Sequence, residues 1–114
     1  MFRLAKNISK MSQHRQKMGC VITKNGKPIS VGFNQIKSNP EGWHNGLHCE
    51  QYAIKYADII DFKGCSIYVY RERPDKNIGL AKPCRYCLKE LKEKGFKWMY
   101  YSTNEYPFWE CEKI

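Results

Sequence analysis

Apolar residues at Met1, Leu4, Ala5, Ile8 and Met11 recur at steps of three and four, the spacing of one helix face, and predict a short amphipathic helix. Met18–Thr23 and Pro28–Phe33 are apolar or β-branched runs separated by Lys24-Asn25-Gly26-Lys27. Asn and Gly both tolerate positive φ, so these runs predict an antiparallel hairpin. From Asn34 to Gly46 the chain is polar, rich in Gly, Asn and Pro, and follows neither period, which predicts a loop. Cys49, Tyr52, Ala53, Tyr56, Ala57 and Ile60 return to the helical spacing and predict a second helix over His48–Asp61. Ser66–Tyr70 is short and β-branched, a third strand, and Arg71–Lys82 after it carries Pro, Asp, Asn and Gly, a loop. Pro83 suits a helix start, Cys84, Cys87, Leu88 and Leu91 share a face, and Gly95 closes this third helix. Phe96–Ser102 predicts a fourth strand and Phe108–Cys111 a short fifth. Only about five residues separate them, too few for a crossover helix, so the two are expected to pair antiparallel.

Strands alternating with helices predict an α/β fold, a three-layer α/β/α sandwich with a mixed sheet of four to five strands and about three helices. The length of 114 residues and the 42% hydrophobic content fit one domain over residues 1–114, with no repeat, low-complexity tract or linker dividing it. No stretch of about 18 apolar residues occurs and the start Met1–Asn7 lacks a secretory pattern, which predicts a soluble, cytoplasmic protein without membrane contact. Six cysteines (Cys20, Cys49, Cys65, Cys84, Cys87 and Cys111) are read as reduced thiols, some of them metal ligands, because the apolar content builds a core without disulfides.

The net charge is +9, and its placement matters more than its sum. Arg3, Lys6, Lys10, Arg15, Lys17, Lys24, Lys27 and Lys37 occupy residues 1–40 with no Asp or Glu among them, while the remainder is nearly balanced. Such a field attracts phosphates, and equally it serves as a solvated face that keeps the protein soluble.

His48-Cys49-Glu50 heads the second predicted helix and Pro83-Cys84-Arg85-Tyr86-Cys87 the third. Residues three apart on a helix share a face, so Cys84 and Cys87 can aim both sulfurs at one zinc ion. A helix N-terminus favours the thiolate, the form that binds metal. His48 supplies a third donor if its helix start lies beside the other. Three protein ligands leave one position open, where water becomes a nucleophile near neutral pH, and Glu50 then has the task of moving its proton. Residues two apart point in different directions on a regular helix, so His48 or Glu50 must lie in the opening turn. The same residues also fit buried apolar thiols, or a structural zinc site completed by Cys49 or His44.

These residues resemble the zinc-dependent cytidine and deoxycytidylate deaminase superfamily, with its His-x-Glu and Pro-Cys-x-x-Cys signature. The resemblance spans residues 19–103: Gly19-Cys20-Val21-Ile22, Gly32-Phe33-Asn34, His48-Cys49-Glu50-Gln51 with Ala53-Ile54, and Lys82-Pro83-Cys84-Arg85-Tyr86-Cys87. It implies that His48, Cys84 and Cys87 hold Zn2+, that Glu50 shuttles the proton, that the backbone N–H of Cys49 contacts the base carbonyl and that Asn34 touches the sugar. It also implies a homo-oligomer. Cys49 stands where the family usually has alanine, and Arg73–Lys82 is longer than the connection common in free-nucleoside deaminases.

The activity expected is hydrolytic deamination of a cytosine-containing nucleoside or nucleotide, with a deoxycytidylate-type substrate favoured by the basic first third. A deaminase acting on a base in single-stranded DNA or RNA is the first alternative, and a non-catalytic zinc-stabilised binding module the second. Among the remaining residues, Trp43 fits either a ring that stacks on a base or one that plugs the sheet edge, and His44 and Cys111 have no assigned role beyond the fourth-ligand alternative for His44. Cys20 and Cys65 are expected in the core, and Phe108 and Trp109 are expected to pack on the first helix. Asn34 has a bland reading too, as a strand end that starts a turn.

Overall fold

The computed structural model describes residues 1–34, 48–58 and 61–114. In chain order its elements are α1 (Phe2–Ser9), β1 (Lys17–Lys24), β2 (Lys27–Phe33), α2 (Cys49–Lys55), β3 (Ser66–Glu72), β4 (Ile78–Gly79), α3 (Arg85–Glu93), β5 (Trp98–Ser102) and β6 (Trp109–Lys113). The strands form one sheet in the order β2-β1-β3-β5-β6, with β4 paired to β3. Only β3 and β5 run parallel; every other pairing is antiparallel, including the expected β5–β6 pair. The β1–β2 hairpin turns at Asn25 and Gly26, with φ of 54° and 77° as an Asn-Gly turn requires.

Alternation along the strands sorts the core into two layers. Cys20, Ile22, Ile67, Val69, Met99 and Tyr101 face α2 and α3, joined there by Ala53 and Leu91. Val21, Tyr68 and Tyr70 face the other way, onto Ala5 of α1. The result is the expected α/β/α sandwich. Gly19 is what lets α1 lie flat on β1, because a Cβ there would stand 2.3 Å from the Ala5 carbonyl oxygen.

Several boundaries differ from the sequence reading: β3 runs on to Glu72, β5 starts only at Trp98 and β6 covers Trp109–Lys113, and three further differences bear on the architecture. The sheet has six strands rather than four to five, because Ile78–Gly79 within the expected loop pairs with Arg71 and Glu72. The α2 helix ends at Lys55, short of Asp61: the Ala57 N–H reaches back only three residues to Ile54 (3.4 Å), and Tyr56 leaves helical geometry with ψ of 11°. The α3 helix begins at Arg85, after Pro83, since Cys84 is an extended cap whose carbonyl accepts the first helical bond from Leu88 at 2.8 Å. The expected loop Asn34–Gly46, with Trp43 and His44, lies outside the described residues beyond Asn34.

Cys20 and Cys65 are buried as expected, and all six cysteines are free thiols. Trp109 does approach α1, its ring 6.3 Å from that of Phe2, whereas Phe108 sits at positive φ and meets Tyr106 instead. Among the described residues no helix is long and apolar enough to cross a membrane.

Candidate metal centre

β2 delivers the chain to one end of the sheet at Asn34, and α2 starts there and runs back over Gly32. β3 and β4 lead through Leu80–Lys82 to the same end, where α3 starts. The two helix starts are built alike. His48 caps α2 with φ −67° and ψ 151°, and Cys84 caps α3 with φ −67° and ψ 167°. An extended cap residue swings its side chain out of the helical register, which resolves the conflict between His48 and Glu50 at a spacing of two. The His48 N–H is held by Gln51 Oε1 at 3.1 Å, fixing this opening turn.

The Nδ1 atom of His48 lies 3.3 Å from Cys87 Sγ and 3.8 Å from Cys84 Sγ, and all three donor atoms fall within 4.8 Å of one another. A tetrahedral zinc with Zn–S near 2.3 Å and Zn–N near 2.0 Å places its ligand atoms about 3.6 Å apart. The two imidazole–thiol separations bracket that value, so donor chemistry and spacing both fit zinc. Cys49 turns its thiol to Glu50 and does not join the group, which holds three donors among the described residues. His44, the other candidate fourth ligand, lies outside them. Among the described residues Cys87 is buried, Cys84 half-buried and His48 exposed.

Glu50 sits in the first turn of α2 at 3% exposure, and its Oε1 accepts the Cys49 thiol at 2.7 Å. The Cys20 thiol in turn donates to the Cys49 carbonyl at 3.2 Å. Burial pushes the Cys49 thiol well above the ordinary cysteine range, reinforced by Cys20 and Glu50, so it remains a donor at neutral pH. Cys87 is pushed up as well, first by burial, then by the charge of Glu50 and the neighbouring Cys84. Those influences outweigh the helix N-terminus that was expected to favour its thiolate. A divalent cation among the donors inverts that balance, because its charge favours the ionised sulfur.

Asn34 is buried and engaged with backbone: Oδ1 accepts the Met18 N–H at 3.0 Å and Nδ2 donates to the Gln16 carbonyl at 2.7 Å. Its own carbonyl accepts from the Ser12 hydroxyl at 2.9 Å; Ser12 Oγ in turn accepts the His14 N–H at 3.1 Å, and His14 Nδ1 accepts from the Gln16 N–H at 3.0 Å. The circuit closes on Asn34. Gln16 Oε1 continues it to Arg71, receiving two guanidinium N–H groups at 3.2 and 2.7 Å. Ser12, His14, Gln16 and Arg71 were not singled out from the sequence, where they carry no period and no motif spacing. The sole hint was the run of polar residues closing the first helix.

Contacts of Ser102 and Lys82 hold the segment that bears Cys84. The Ser102 hydroxyl accepts the Arg71 N–H at 3.0 Å and donates to the Gly79 carbonyl at 2.7 Å, while the Ser102 carbonyl accepts from Ala81 at 2.9 Å. Lys82 forms an ion pair with Glu112 at 3.0 Å, and the single Tyr101 O–H lies within hydrogen-bond reach of the carboxylates of both Glu110 and Glu112.

A family model for the cytidine and deoxycytidylate deaminase zinc-binding region matches residues 1–103. Among solved structures, the dCMP deaminase of the cyanophage S-TIM5 in complex with dCMP and dUMP aligns with a TM-score of 0.66 at 23% identity, covering 89% of this chain and 76% of that one. The apo form of the same enzyme aligns with a TM-score of 0.64 at 25% identity, covering 89% and 78%. No curated protein matches the chain. The family match runs unbroken through both helix starts and all the strands of the site, and the chain therefore belongs to the cytidine and deoxycytidylate deaminases, zinc-dependent hydrolytic enzymes.

Proposed function

We propose that this deaminase acts on a free cytosine nucleotide of the deoxycytidylate type, with His48, Cys84 and Cys87 holding zinc and Glu50 moving the protons. The observation that carries the reading is the convergence of His48, Cys84 and Cys87 into a three-donor centre, with the buried Glu50 carboxylate in the first turn of the helix that His48 caps. Zinc, when bound, supplies the Lewis acidity that makes water nucleophilic near neutral pH. Glu50 takes one proton from the attacking water and delivers it to the ring nitrogen, then takes the proton of the new C–OH group and delivers it to the departing amino group. A C–O bond forms at the ring carbon bearing that group, the C–N bond breaks, and ammonia leaves a uracil ring behind.

Cys49 occupies the first position of α2, where a backbone N–H has no helical partner, and this suits a base carbonyl. Asn34 offers its second amide N–H to the sugar. Arg15 and Lys17 flank the Asn34 circuit, whereas Lys24 and Lys27 lie at the far end by the hairpin turn. The two cations beside the circuit favour a phosphorylated substrate, as does the likeness to a phage enzyme solved with dCMP and dUMP.

Ammonia release from cytidine, deoxycytidine, their monophosphates, adenosine and short single strands tests the reading, with zinc assayed on the same sample. Highest turnover on deoxycytidylate is expected, with modest dependence on salt. Turnover of single strands alone, falling steeply with ionic strength, would replace the free nucleotide by a polymer. The reading includes a homo-oligomer, supported by Trp109 (47% exposed) and Cys111 on the uncovered face of β6. Light scattering at the monomer mass would remove it.

A further inference from the structure

Proton transfer by a carboxylate requires that one oxygen be held toward the reacting atoms while the side chain does not rotate away. Glu50 has rotatable bonds enough to turn, and it reaches the centre from a helix start rather than a rigid strand. What restrains it is its own neighbour. Cys49 Sγ lies 2.7 Å from Glu50 Oε1, with the thiol donating, and the two side chains are 0% and 3% exposed. Adjacent residues on a helix diverge, so this contact is not an automatic result of helical geometry.

Cys49 is itself fixed from below. Cys20 in β1 donates its thiol to the Cys49 carbonyl at 3.2 Å, and Gly32 in β2 lets the backbone of Cys49 rest on the sheet. Sheet, Cys49 and Glu50 thus form a continuous support, made of a thiol at a position where a methyl group would make no hydrogen bond.

We propose that the Cys49 thiol is a positioning group for Glu50: it occupies Oε1 and leaves Oε2 to face the metal centre and the substrate. This rests on the role given to Glu50 above. Cys49 touches no reacting atom through its sulfur, so its effect appears in the rate of the chemical step and not in substrate binding.

Two variants and one spectrum test it. Cys49→Ala removes the donor with little change in volume, and Cys49→Ser keeps a donor at the same place. On deoxycytidylate, Cys49→Ala is expected to lower kcat roughly tenfold, the scale of one hydrogen bond to a charged group, with KM within about twofold. Cys49→Ser is expected to recover kcat to within about threefold of the parent. Zinc content stays unchanged in both, and kcat is compared at a temperature well below either thermal midpoint. Infrared spectroscopy reads the contact without substrate: the S–H stretching band lost in Cys49→Ala lies below the free-thiol frequency, and Glu50→Ala moves it up. An unchanged kcat in Cys49→Ala, equal losses in the Ala and Ser variants, or a band indifferent to Glu50→Ala would overturn the proposal. Parent enzyme inactive on every cytosine nucleotide would remove the proposed function alone, since the band shift still reports whether Cys49 holds Glu50.

Discussion

Gly32 lies directly beneath Cys49: a Cβ on Gly32 would stand 2.4 Å from the Cys49 carbonyl oxygen and 2.7 Å from the Ala53 nitrogen. Both are backbone atoms of α2 and cannot rotate aside. Gly32→Ala is therefore expected to lift the start of α2 from the sheet at a cost of about 1–3 kcal/mol. His48 precedes Cys49, so zinc affinity falls with stability. Thermal melts with zinc analysis check this, and a variant with parental values of both would show that Gly32 does not set the height of the helix.

Glu50→Gln preserves shape and removes the proton carrier. The variant is expected to retain zinc and to lose about 10²–10⁴ in turnover, the usual contribution of a positioned general base. Ammonia release and metal analysis on one preparation measure both. A normally active variant refutes the mechanism.

One hydroxyl serves two backbone groups where β4 and β5 part company along β3. Ser102→Ala leaves the Arg71 N–H and the Gly79 carbonyl without that partner inside the fold. The expected loss is about 1–3 kcal/mol, read as a lower urea midpoint. Because Gly79 leads through Leu80–Pro83 to Cys84, zinc is expected to dissociate faster as well. An unchanged midpoint would mean that water replaces the hydroxyl.

Glu112 has its carboxyl pKa lowered below the ordinary value of 4.5, first by the Tyr101 hydroxyl and then by Lys82. A lowered folded-state pKa adds stability above the unfolded value and loses it as pH falls through the folded one. Glu112→Gln is therefore expected to melt below the parent at neutral pH and to converge with it in acid. Melts across that range decide it; parallel curves would assign Glu112 no role. Its side chain is 40% exposed, so solvent screens the effect and keeps it small.

Residue chemistry made the centre legible before the fold was known. A histidine and a glutamate two apart cannot share a helix face, which required an opening turn, and His48 is found there with ψ of 151°. Asn25-Gly26 announced the hairpin because few other pairs accept positive φ twice in succession. The β4 strand was illegible, since two residues with one apolar side chain carry no period. The early end of α2 was hidden for the opposite reason: Tyr56 and Ala57 continue the apolar spacing, yet Ala57 reaches the core after the helix has ended. The circuit around Asn34 joins Ser12, His14 and Gln16 through one backbone atom in each bond, and backbone partners leave no mark on residue spacing; Arg71 joins it through the Gln16 side chain from a strand 55 residues away.

The strand order leaves β2 and β6 at the rims of the sheet. Both rims are blunted against accretion of further strands. Lys27 and Pro28 open β2, where proline supplies no donor to a newcomer, and Glu110, Glu112 and Lys113 line β6 with charge. A strand arriving at either rim would therefore meet charge or a missing donor before it could lengthen the sheet.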